Sequence, residues 1–398
     1  MRIALVYDCL YPHAVGGAER WLRELALALA SEHDVTYVTR RQWGPDEDPI
    51  PGVRCLGVTP GGPLYTAAGR RRVAPALRFG ARCFLHFVRN RRRYDIVHCL
   101  SYPYVPLVAV RAALVGARGP AVYCEWLECL SDGWWRAYGG AVAGTAGRLL
   151  QGLCIRLSPA AFVFSAHTAS RLRAAGFSGP LHRLGGLWTG AASPLGAGQR
   201  EELVVFAGRH MPDKGVELLP DAIAYARRAR PELRAVIAGD GPRRELVRRR
   251  VDGLGLTGSV SVPGFLDRAE LDALYGRAGC VAAPSLRDGY GMVVAEAAAA
   301  GTPVVVCRSR DSATGELVEE GVNGAFAARP APREIGEAIV RVLDGGEELR
   351  ARTRRWFAEN RGRLSMAGSI ARVKEIYAAT PSGGSRQSSH GPPASRWA

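Results

Sequence analysis

The feature that most constrains the fold is a repeated alternation of short apolar runs, rich in β-branched residues, with longer segments of helical periodicity. This order is typical of βαβ units, whose strands pair in parallel within one sheet. The runs fall into two series. The first comprises residues 2–7, 34–39, 53–58, 95–99, 121–124 and 161–165, and the second comprises residues 203–207, 235–238, 259–262, 280–283 and 303–306. The sequence therefore predicts an α/β protein with two parallel sheets.

The length of the chain and the break between the two series predict two domains. The 398 residues exceed the roughly 250–300 residues at which a single core usually stops growing. Residues 185–201, between the series, are small and glycine-rich, which favours a linker. We expect an N-terminal domain at 1–187, a linker at 188–200 and a C-terminal domain at 201–380. Residues 381–398 are rich in Gly, Pro and Ser and are expected to form a disordered tail.

Cysteine spacing and hydropathy limit where the protein resides. The nine cysteines are scattered and include no CxxC pair, which argues against a disulfide framework and a zinc site. The N-terminal apolar run is broken at Asp8 and is too short for a signal peptide. Residues 100–117 contain two prolines and an arginine, which favours a buried helix over a membrane span. We therefore expect a cytoplasmic protein without a transmembrane segment.

A pair of cations follows the first strand of the second series. Residues 203–215 predict a strand, a turn and then Arg209 and Lys214 ahead of a helix. Lys214 stands out because the chain holds 51 Arg and only two Lys. Two cations at a strand end beside a helix N-terminus form an anion site that suits a diphosphate. The alternative, an ordinary surface loop with two exposed bases, stays open.

A glycine-flanked turn in residues 284–306 supplies carboxylates and backbone amides. A strand ends, the turn presents Asp288, and the helix that follows carries Glu296 about one turn inside it. Glycines allow a ligand to approach the backbone closely, and the first amides of a helix are free to donate to phosphate or sugar oxygens. Carboxylates accept hydrogen bonds from sugar and ribose hydroxyls. The alternative for Asp288 alone is an acid that complements the helix dipole.

The second half of the chain resembles glycosyltransferase family 4, also described as glycosyl transferases group 1. The resemblance rests on AGRHMPDKG at 207–215, IAGDGP at 237–242, VPGF at 262–265 and DGYGMVVAE at 288–296, which occur in the family's order over about 100 residues. The first domain matches more weakly, through a Gly-Gly loop after its first strand. The resemblance implies the GT-B fold, in which two Rossmann-like parallel α/β domains face a central cleft.

The resemblance also implies an activity and a set of site residues. The activity is retaining transfer of a sugar from a nucleoside-diphosphate sugar, UDP- or GDP-linked, to a hydroxyl acceptor in polysaccharide, glycolipid or natural-product glycoside biosynthesis. Arg209 and Lys214 would hold the donor diphosphate. Glu296 would accept from the ribose, and Asp288 would contact the transferred sugar. The other donor-binding positions carried over are Gly16, Gly17, Gly264, Phe265, Gly289, Tyr290, Gly291, Met292 and Val293.

Two positions depart from the family's pattern. The family usually has Glu where this chain has Asp288, one methylene shorter, so the contact to the sugar is expected to shift or to pass through water. Many relatives carry a His after the strand at 121–124, where this chain has Glu125. Glu125 is a candidate catalytic residue with a polar role toward the sugar or acceptor. The alternatives are a charged loop residue, or replacement by Glu128 or Asp132.

No required metal or cofactor is expected beyond the nucleotide sugar, which acts as co-substrate. In the retaining mechanism that the resemblance implies, the leaving phosphate helps to deprotonate the acceptor, so no enzyme base is required. The Asp46–Asp48 triplet lies in a proline-rich loop and is interpreted as solvated surface rather than a metal motif. His13 is a candidate for contacting the acceptor or phosphate, whereas His98 is interpreted as a hydrogen-bonded histidine at a strand end.

Residues 70–93 hold nine Arg and no acid, with apolar residues interleaved. A basic amphipathic helix there could rest on an anionic membrane, which would place the protein at the periphery of the inner membrane face. A solvated basic face or an acceptor-side patch is the alternative.

The sequence also bears on three functions other than glycosyl transfer. A nucleotide-sugar epimerase or hydrolase of GT-B type stays open. The sequence pI of about 9.9 suggests a nucleic-acid or membrane-surface binding protein. However, no nucleic-acid module is recognisable, so no nucleic-acid partner is expected. The first strand is not followed by G-x-G-x-x-G, which argues against a dinucleotide-dependent dehydrogenase.

Overall fold

A computed structural model of the chain describes residues 1–66, 70–116, 119–190 and 201–380. The expected tail, and residues 191–200 of the expected linker, lie outside the described residues. The described chain forms two parallel-sheet α/β domains, which confirms the predicted fold class. The limits proposed for the domains from sequence stay a prediction.

The first sheet has seven parallel strands in the order β3-β2-β1-β4-β5-β6-β7. Strand β1 lies inside the sheet, and Ile3 pairs with Val35 on one side and with Ile96 on the other. Because interior strands of such a sheet are covered on both faces, β1, β4, β5 and β6 are largely apolar. The strands are β1 Arg2–Val6, β2 Asp34–Arg41, β3 Arg54–Pro60, β4 Ile96–Leu100, β5 Ala121–Glu125, β6 Ala161–Val163 and β7 Leu181–Arg183.

Helices cover both faces of the first sheet. One face receives α1, which buries Trp21, Leu22 and Leu25 at a spacing that places them on one side of the helix. The opposite face receives α2, which buries Phe79 and Phe87. Each such side chain contributes about 1.5–3 kcal/mol by leaving water. The helices are α1 Gly17–Ala30, α2 Val73–Asn90, α3 Val105–Ala113, α4 Asp132–Leu157 and α5 Ala166–Ala174.

The second sheet has six parallel strands in the order β10-β9-β8-β11-β13-β15, and β12 pairs separately with β14. The strands are β8 Leu203–Ala207, β9 Arg234–Ala238, β10 Val260–Ser261, β11 Cys280–Ala283, β12 Arg287–Asp288, β13 Val304–Cys307, β14 Asp311–Ser312 and β15 Gly324–Ala327. The helices are α6 Leu219–Ala226, α7 Arg244–Gly253, α8 Arg268–Arg277, α9 Met292–Ala299, α10 Pro332–Asp344 and α11 Gly346–Leu364. The carboxyl ends of these strands face the first domain.

The last described helix, α12 (Met366–Ala378), returns to the first sheet. Its Tyr377 is fully buried, with the hydroxyl 2.6 Å from His98 Nδ1. Before it, Trp188 hydrogen-bonds through its backbone to Leu364 and to Met366, so the two segments that cross between the domains are paired. The chain is therefore anchored to the first domain at both ends.

The eleven predicted strands are all present. Residues 100–117 include the short helix α3, and no helix in the described ranges combines the length and apolar character needed to cross a membrane. All nine cysteines are free thiols.

Candidate active site

The loop after β8 brings Lys214 to the carboxyl edge of the second sheet. Residues Pro212–Lys214 form a 3₁₀ turn, and Gly215 follows in the left-handed region at φ 65°. A Cβ at Gly215 would lie 2.3 Å from the carbonyl oxygen of Pro284, so only glycine allows the loop to press against the end of β11. In this position Lys214 Nζ lies 2.7 Å from Asp288 Oδ2.

Asp288 joins this cation to the start of α9. Its Oδ1 accepts hydrogen bonds from the backbone amides of Tyr290, at 3.1 Å, and Gly291, at 2.9 Å. Burial would raise the pKa of Asp288, but Lys214 and the two amides outweigh it and hold the pKa below its usual value. Asp288 is therefore an ionised carboxylate with about one fifth of its side chain exposed.

The first turn of α9 offers further donors. Gly291 lies just before the helix at φ 92°, and no side chain of the described residues caps the amides that follow. The amides of Met292 and Val293 therefore lie at a positive helix end, next to Lys214 and Asp288. This arrangement can bind phosphate oxygens.

Glu296 lies further along α9 and is buried at the boundary between the domains. Its Oε1 is 2.8 Å from Arg268 Nη1 and 3.4 Å from Arg20 Nη1. Arg268 begins α8 of the second domain, whereas Arg20 belongs to α1 of the first. In the form described, Glu296 thus connects both halves of the protein.

Arg209 lies on the same edge and reaches toward the first domain. Partial burial would lower its pKa, but Tyr65, Glu19 and Asp213 outweigh it and raise the pKa above its usual value. Arg209 thus stays a cation close to acidic and phenolic groups of both domains.

The Gly-Gly loop of the first domain meets the start of α9. A Cβ on Gly17 would lie 2.6 Å from Met292 Sδ, so the two domains touch there. The backbone of Gly16 is extended, and its missing side chain leaves room for the carboxylate of Glu19. One edge of the second sheet therefore brings together most of the predicted site: Lys214, Arg209, Asp288, Glu296 and the Gly16–Gly17 loop.

The predicted donor-binding positions Gly264, Phe265 and Tyr290 differ in how far they are exposed to solvent. Phe265 has a ring that is 68% exposed, next to Gly264, whose carbonyl accepts from the amide of Gly239. Tyr290 instead points into the interface, with its ring 6.0 Å from that of Phe164. Burial raises the pKa of Tyr290 to about 12. Tyr290 therefore offers a ligand its backbone rather than its hydroxyl.

The structure corrects the loop interpretation of Glu125. Glu125 is the last residue of β5 and is completely buried. Its Oε2 accepts from Trp21 Nε1 at 2.7 Å and lies 3.0 Å from His98 Nε2. The strand continues one residue further than predicted because these partners compensate the buried carboxylate. The Glu125 side chain therefore has no exposed atom to offer a substrate. His98 is hydrogen-bonded, as expected.

Arg287 belongs to the site and was not predicted from the sequence. Its guanidinium lies 3.1 Å from Glu128 and 3.3 Å from Asp213, over the ring of Trp134 at 4.6 Å. Burial lowers the pKa of Arg287, but these two carboxylates outweigh it and raise the pKa above its usual value. Because the chain holds 51 Arg, one more arginine does not stand out in the sequence. Only its position directly before Asp288 could have indicated a role.

Within the described residues, neither Asp132 nor His13 pairs with the charged side chains of this assembly. Asp132 is an exposed residue in the first turn of α4, and His13 Nε2 is 3.0 Å from Glu47 in the loops of the first domain. In the part of the chain that the structure describes, no group of three or more His, Cys, Asp or Glu could hold a metal ion.

Comparison with known proteins identifies the family. The model for "Glycosyl transferases group 1" matches residues 192–356, and that for "Glycosyl transferase 4-like domain" matches residues 16–184. D-inositol 3-phosphate glycosyltransferase of Segniliparus rotundus is 32% identical over 49% of this chain and 43% of its own length. Glycogen synthase of Mycobacterium tuberculosis is 27% identical over 89% of both chains. Against the curated relatives of higher identity, such as the Segniliparus rotundus enzyme, the match spans less than half of the relative's length.

Solved structures share the two-domain architecture. Sucrose-phosphate synthase from Thermosynechococcus elongatus superposes with a TM-score of 0.77 at 19% identity, covering 95% of this chain and 98% of that protein. Anabaena Alr3699/HepE in complex with UDP superposes with a TM-score of 0.71 at 20% identity, over 96% and 100%. The two family models, which together match residues 16–184 and 192–356, place the chain in glycosyltransferase family 4, and the solved structures share its GT-B fold.

Proposed function

We propose that this glycosyltransferase takes a sugar from a nucleoside-diphosphate sugar, UDP- or GDP-linked, and transfers it to a hydroxyl acceptor with retention at the anomeric carbon. The observation that best supports the proposal is the 2.7 Å pairing of Lys214 with Asp288 beside the first turn of α9. A cation, an ionised carboxylate and free amides match the diphosphate and the hydroxyls of such a donor.

Each charged residue has a distinct role in this proposal. Lys214 and Arg209 bind the diphosphate and neutralise the charge that develops as the nucleotide leaves. When Lys214 turns to the phosphate, Asp288 is released to accept from a hydroxyl of the transferred sugar. Glu296 exchanges one of its two arginine contacts for the ribose hydroxyls.

Proton transfer in the proposal uses the leaving phosphate to deprotonate the acceptor. This route is favoured because Glu125, the carboxylate first considered, is completely buried. Glu128 is engaged by Arg287. Lys214 and Arg209 supply the positive charge that a metal would otherwise provide, so no metal cofactor is invoked.

The names of similar proteins support this class of donor. Structures of Anabaena Alr3699/HepE contain UDP or UDP-glucose. One Mycobacterium tuberculosis relative, 33% identical over 39% of this chain, is described as GDP-mannose-dependent. We propose polysaccharide, glycolipid or natural-product glycoside biosynthesis as the class of pathway.

Titration calorimetry of the full chain with UDP, GDP, ADP and TDP, with EDTA present, tests the donor. We expect one nucleotide family to bind, and its sugar conjugates to bind as well. Failure of all four to bind would contradict the proposal. Release of free sugar from the donor, without acceptor and at the full turnover rate, would instead favour a hydrolase.

Glu296→Gln tests the ribose contact separately. We expect about a tenfold loss of nucleoside-diphosphate affinity, because a charged hydrogen-bond acceptor becomes neutral. The free energy of unfolding should fall by less than the free energy of binding. Glu334→Gln, on the surface of α10, is the matched control and should bind normally. Equal affinities in the two variants would remove Glu296 from the donor site.

A further inference from the structure

Exposed large apolar side chains concentrate on one layer of the first domain. Of the fourteen in the described residues, five lie on α2, three lie on α4, and Val115 follows α3. Single exposed apolar residues are normal on a protein surface, whereas a concentrated patch marks a contact with something else. We call this layer, formed by α2, α3 and α4, the apolar–basic layer.

Helix α2 is apolar beyond the side that it buries. Its inner side buries Phe79 and Phe87 in the core. Its outer side exposes Val73, Leu77, Phe84 and Val88, which are four or seven residues apart and so form one stripe along the helix, with the exposed Leu85 beside it. A surface helix of a soluble protein normally turns charged and polar residues outward. The outer stripe, whose side chains are 39–68% exposed, therefore contributes little to the core of the domain.

Helix α4 continues the same surface. It exposes Val142, at 84%, together with Leu149 and Leu153, again at helical spacing. Helix α3 packs against both α2 and α4 on the same face of the sheet. The two apolar stripes consequently face outward on either side of α3.

The charge of the layer is almost entirely positive. Helices α2, α3 and α4 contain a single acidic residue, Asp132, at the start of α4. Exposed arginines flank the stripes, among them Arg78, Arg82, Arg89 and Arg148. In an arginine-rich chain, a basic face alone would be interpreted as ordinary solvated surface. Here the basic face borders exposed apolar stripes, which such a surface does not need.

We propose that the apolar–basic layer docks on an anionic lipid bilayer. Apolar side chains between arginines match a membrane interface, where acyl chains lie beneath negative headgroups. A second copy of this chain fits less well, because a symmetric contact would bring the same arginines face to face.

The layer adjoins the cleft. The backbone amide of Arg71, just before α2, donates to the Tyr138 hydroxyl of α4 at 2.8 Å. Trp134, also on α4, lies under Arg287, which precedes Asp288. Docking would thus bring the mouth of the cleft to the bilayer. The acceptor would then be a molecule carried by a lipid. That consequence rests on the proposed function, whereas the docking itself does not.

Co-sedimentation with vesicles tests the proposal. The full chain is mixed with vesicles of phosphatidylcholine alone, or with about one third phosphatidylglycerol, at physiological salt. We expect binding to the anionic vesicles only. Leu77→Glu with Leu85→Glu should lower it at least about tenfold, and Arg78→Gln with Arg82→Gln, which leaves the apolar stripe intact, should lower it severalfold. Nucleotide binding should stay unchanged in both double variants. The docking proposal can therefore fail without the proposed function failing, and the reverse.

Matched controls come from α7 of the second domain. Leu246→Glu has a similarly exposed starting residue, and Arg248→Gln removes an exposed charge away from the layer. Both should bind vesicles like the unaltered chain. Absence of binding to anionic vesicles, or equal loss in the controls, would overturn the proposal. So would a dimer in solution that Leu77→Glu dissociates, since the layer would then join two copies.

Discussion

Lys214 is one of two lysines among 53 basic residues, and its ammonium group lies against the Asp288 carboxylate. We predict that Lys214→Ala and Arg209→Ala each lower kcat/KM at least about 100-fold, as expected when a preorganised charge is removed from the reacting centre. Steady-state kinetics with the donor found by calorimetry would measure this. Lys374→Ala is the control, because Lys374 pairs with Glu32 away from the site. Near-normal turnover of both site variants would refute the diphosphate role.

The Lys214–Asp288 pair also predicts how stability depends on pH. The folded protein holds the pKa of Asp288 below its usual value, so the unfolded chain binds this proton more readily. The stabilisation is then fully present above the unfolded pKa, about 3.9, and is lost as pH falls through the lower, folded pKa. We expect Lys214→Met to lower the melting temperature at pH 6–7 and to lower it less and less as the pH drops below about 4. A difference that does not depend on pH would exclude this linkage.

The sequence singles out Lys214, Asp288 and Glu296 as candidates, because a rare residue type and a glycine-flanked turn set them apart. The structure brings these three to one edge. Arg287 could not be found in this way. Its partners, Glu128 and Asp213, are distant in sequence, and one more arginine carries little information in this chain. The burial of Glu125 depends likewise on Trp21 and His98, from other elements.

Among the elements, the turn between β12 and α9 presses against the first domain. A Cβ on Gly289 would lie 2.0 Å from the carbonyl oxygen of Leu127, a backbone atom that cannot rotate away. We predict that Gly289→Ala displaces the turn and lowers kcat/KM on the order of 10- to 100-fold, because small shifts of reacting groups are costly. Gly253→Ala, whose Cβ would meet nothing within 4 Å, is the control. Equal kinetics for the two variants would show that the turn tolerates the shift.

The eleven strands that the sequence predicted are those with an apolar run, and they include β3 and β10 at the sheet edges. The sequence missed the edge strands β7 and β15, and also the two-residue strands β12 and β14, which pair only with each other. Strand β7 spans only three residues, one of them the exposed Arg183, and β15 includes two alanines and a glycine. A strand this short, or this rich in small residues, carries a weak apolar signal wherever it lies in the sheet. The return of α12 to the first sheet also has no local signal, because it depends on the buried contact between Tyr377 and His98.

At the scale of the whole molecule, polar contacts hold the domains together beside the cleft. The carboxylate of Glu316, from the second domain, accepts from the amides of Ala166 and His167 at the start of α5. Asp311, also from the second domain, pairs with Arg171 at 2.5 Å and accepts from Ser131 Oγ at 2.9 Å. A carboxylate at a helix N-terminus is favourable, and these contacts form only while the domains are together. They therefore favour the closed arrangement over an open one.

We predict that Glu316→Gln combined with Arg171→Gln shifts the unliganded protein toward an open arrangement. The radius of gyration from small-angle X-ray scattering should then rise, and saturating nucleotide should restore it. The donor KM should increase severalfold with little change in kcat, because binding energy is spent on closing the domains. Glu334→Gln with Arg329→Gln removes a surface pair within the second domain and should change neither quantity. If the scattering and the donor KM stay those of the unaltered chain, these contacts do not govern closure, and the paired crossing segments at Trp188 and Leu364 must set the domain arrangement instead.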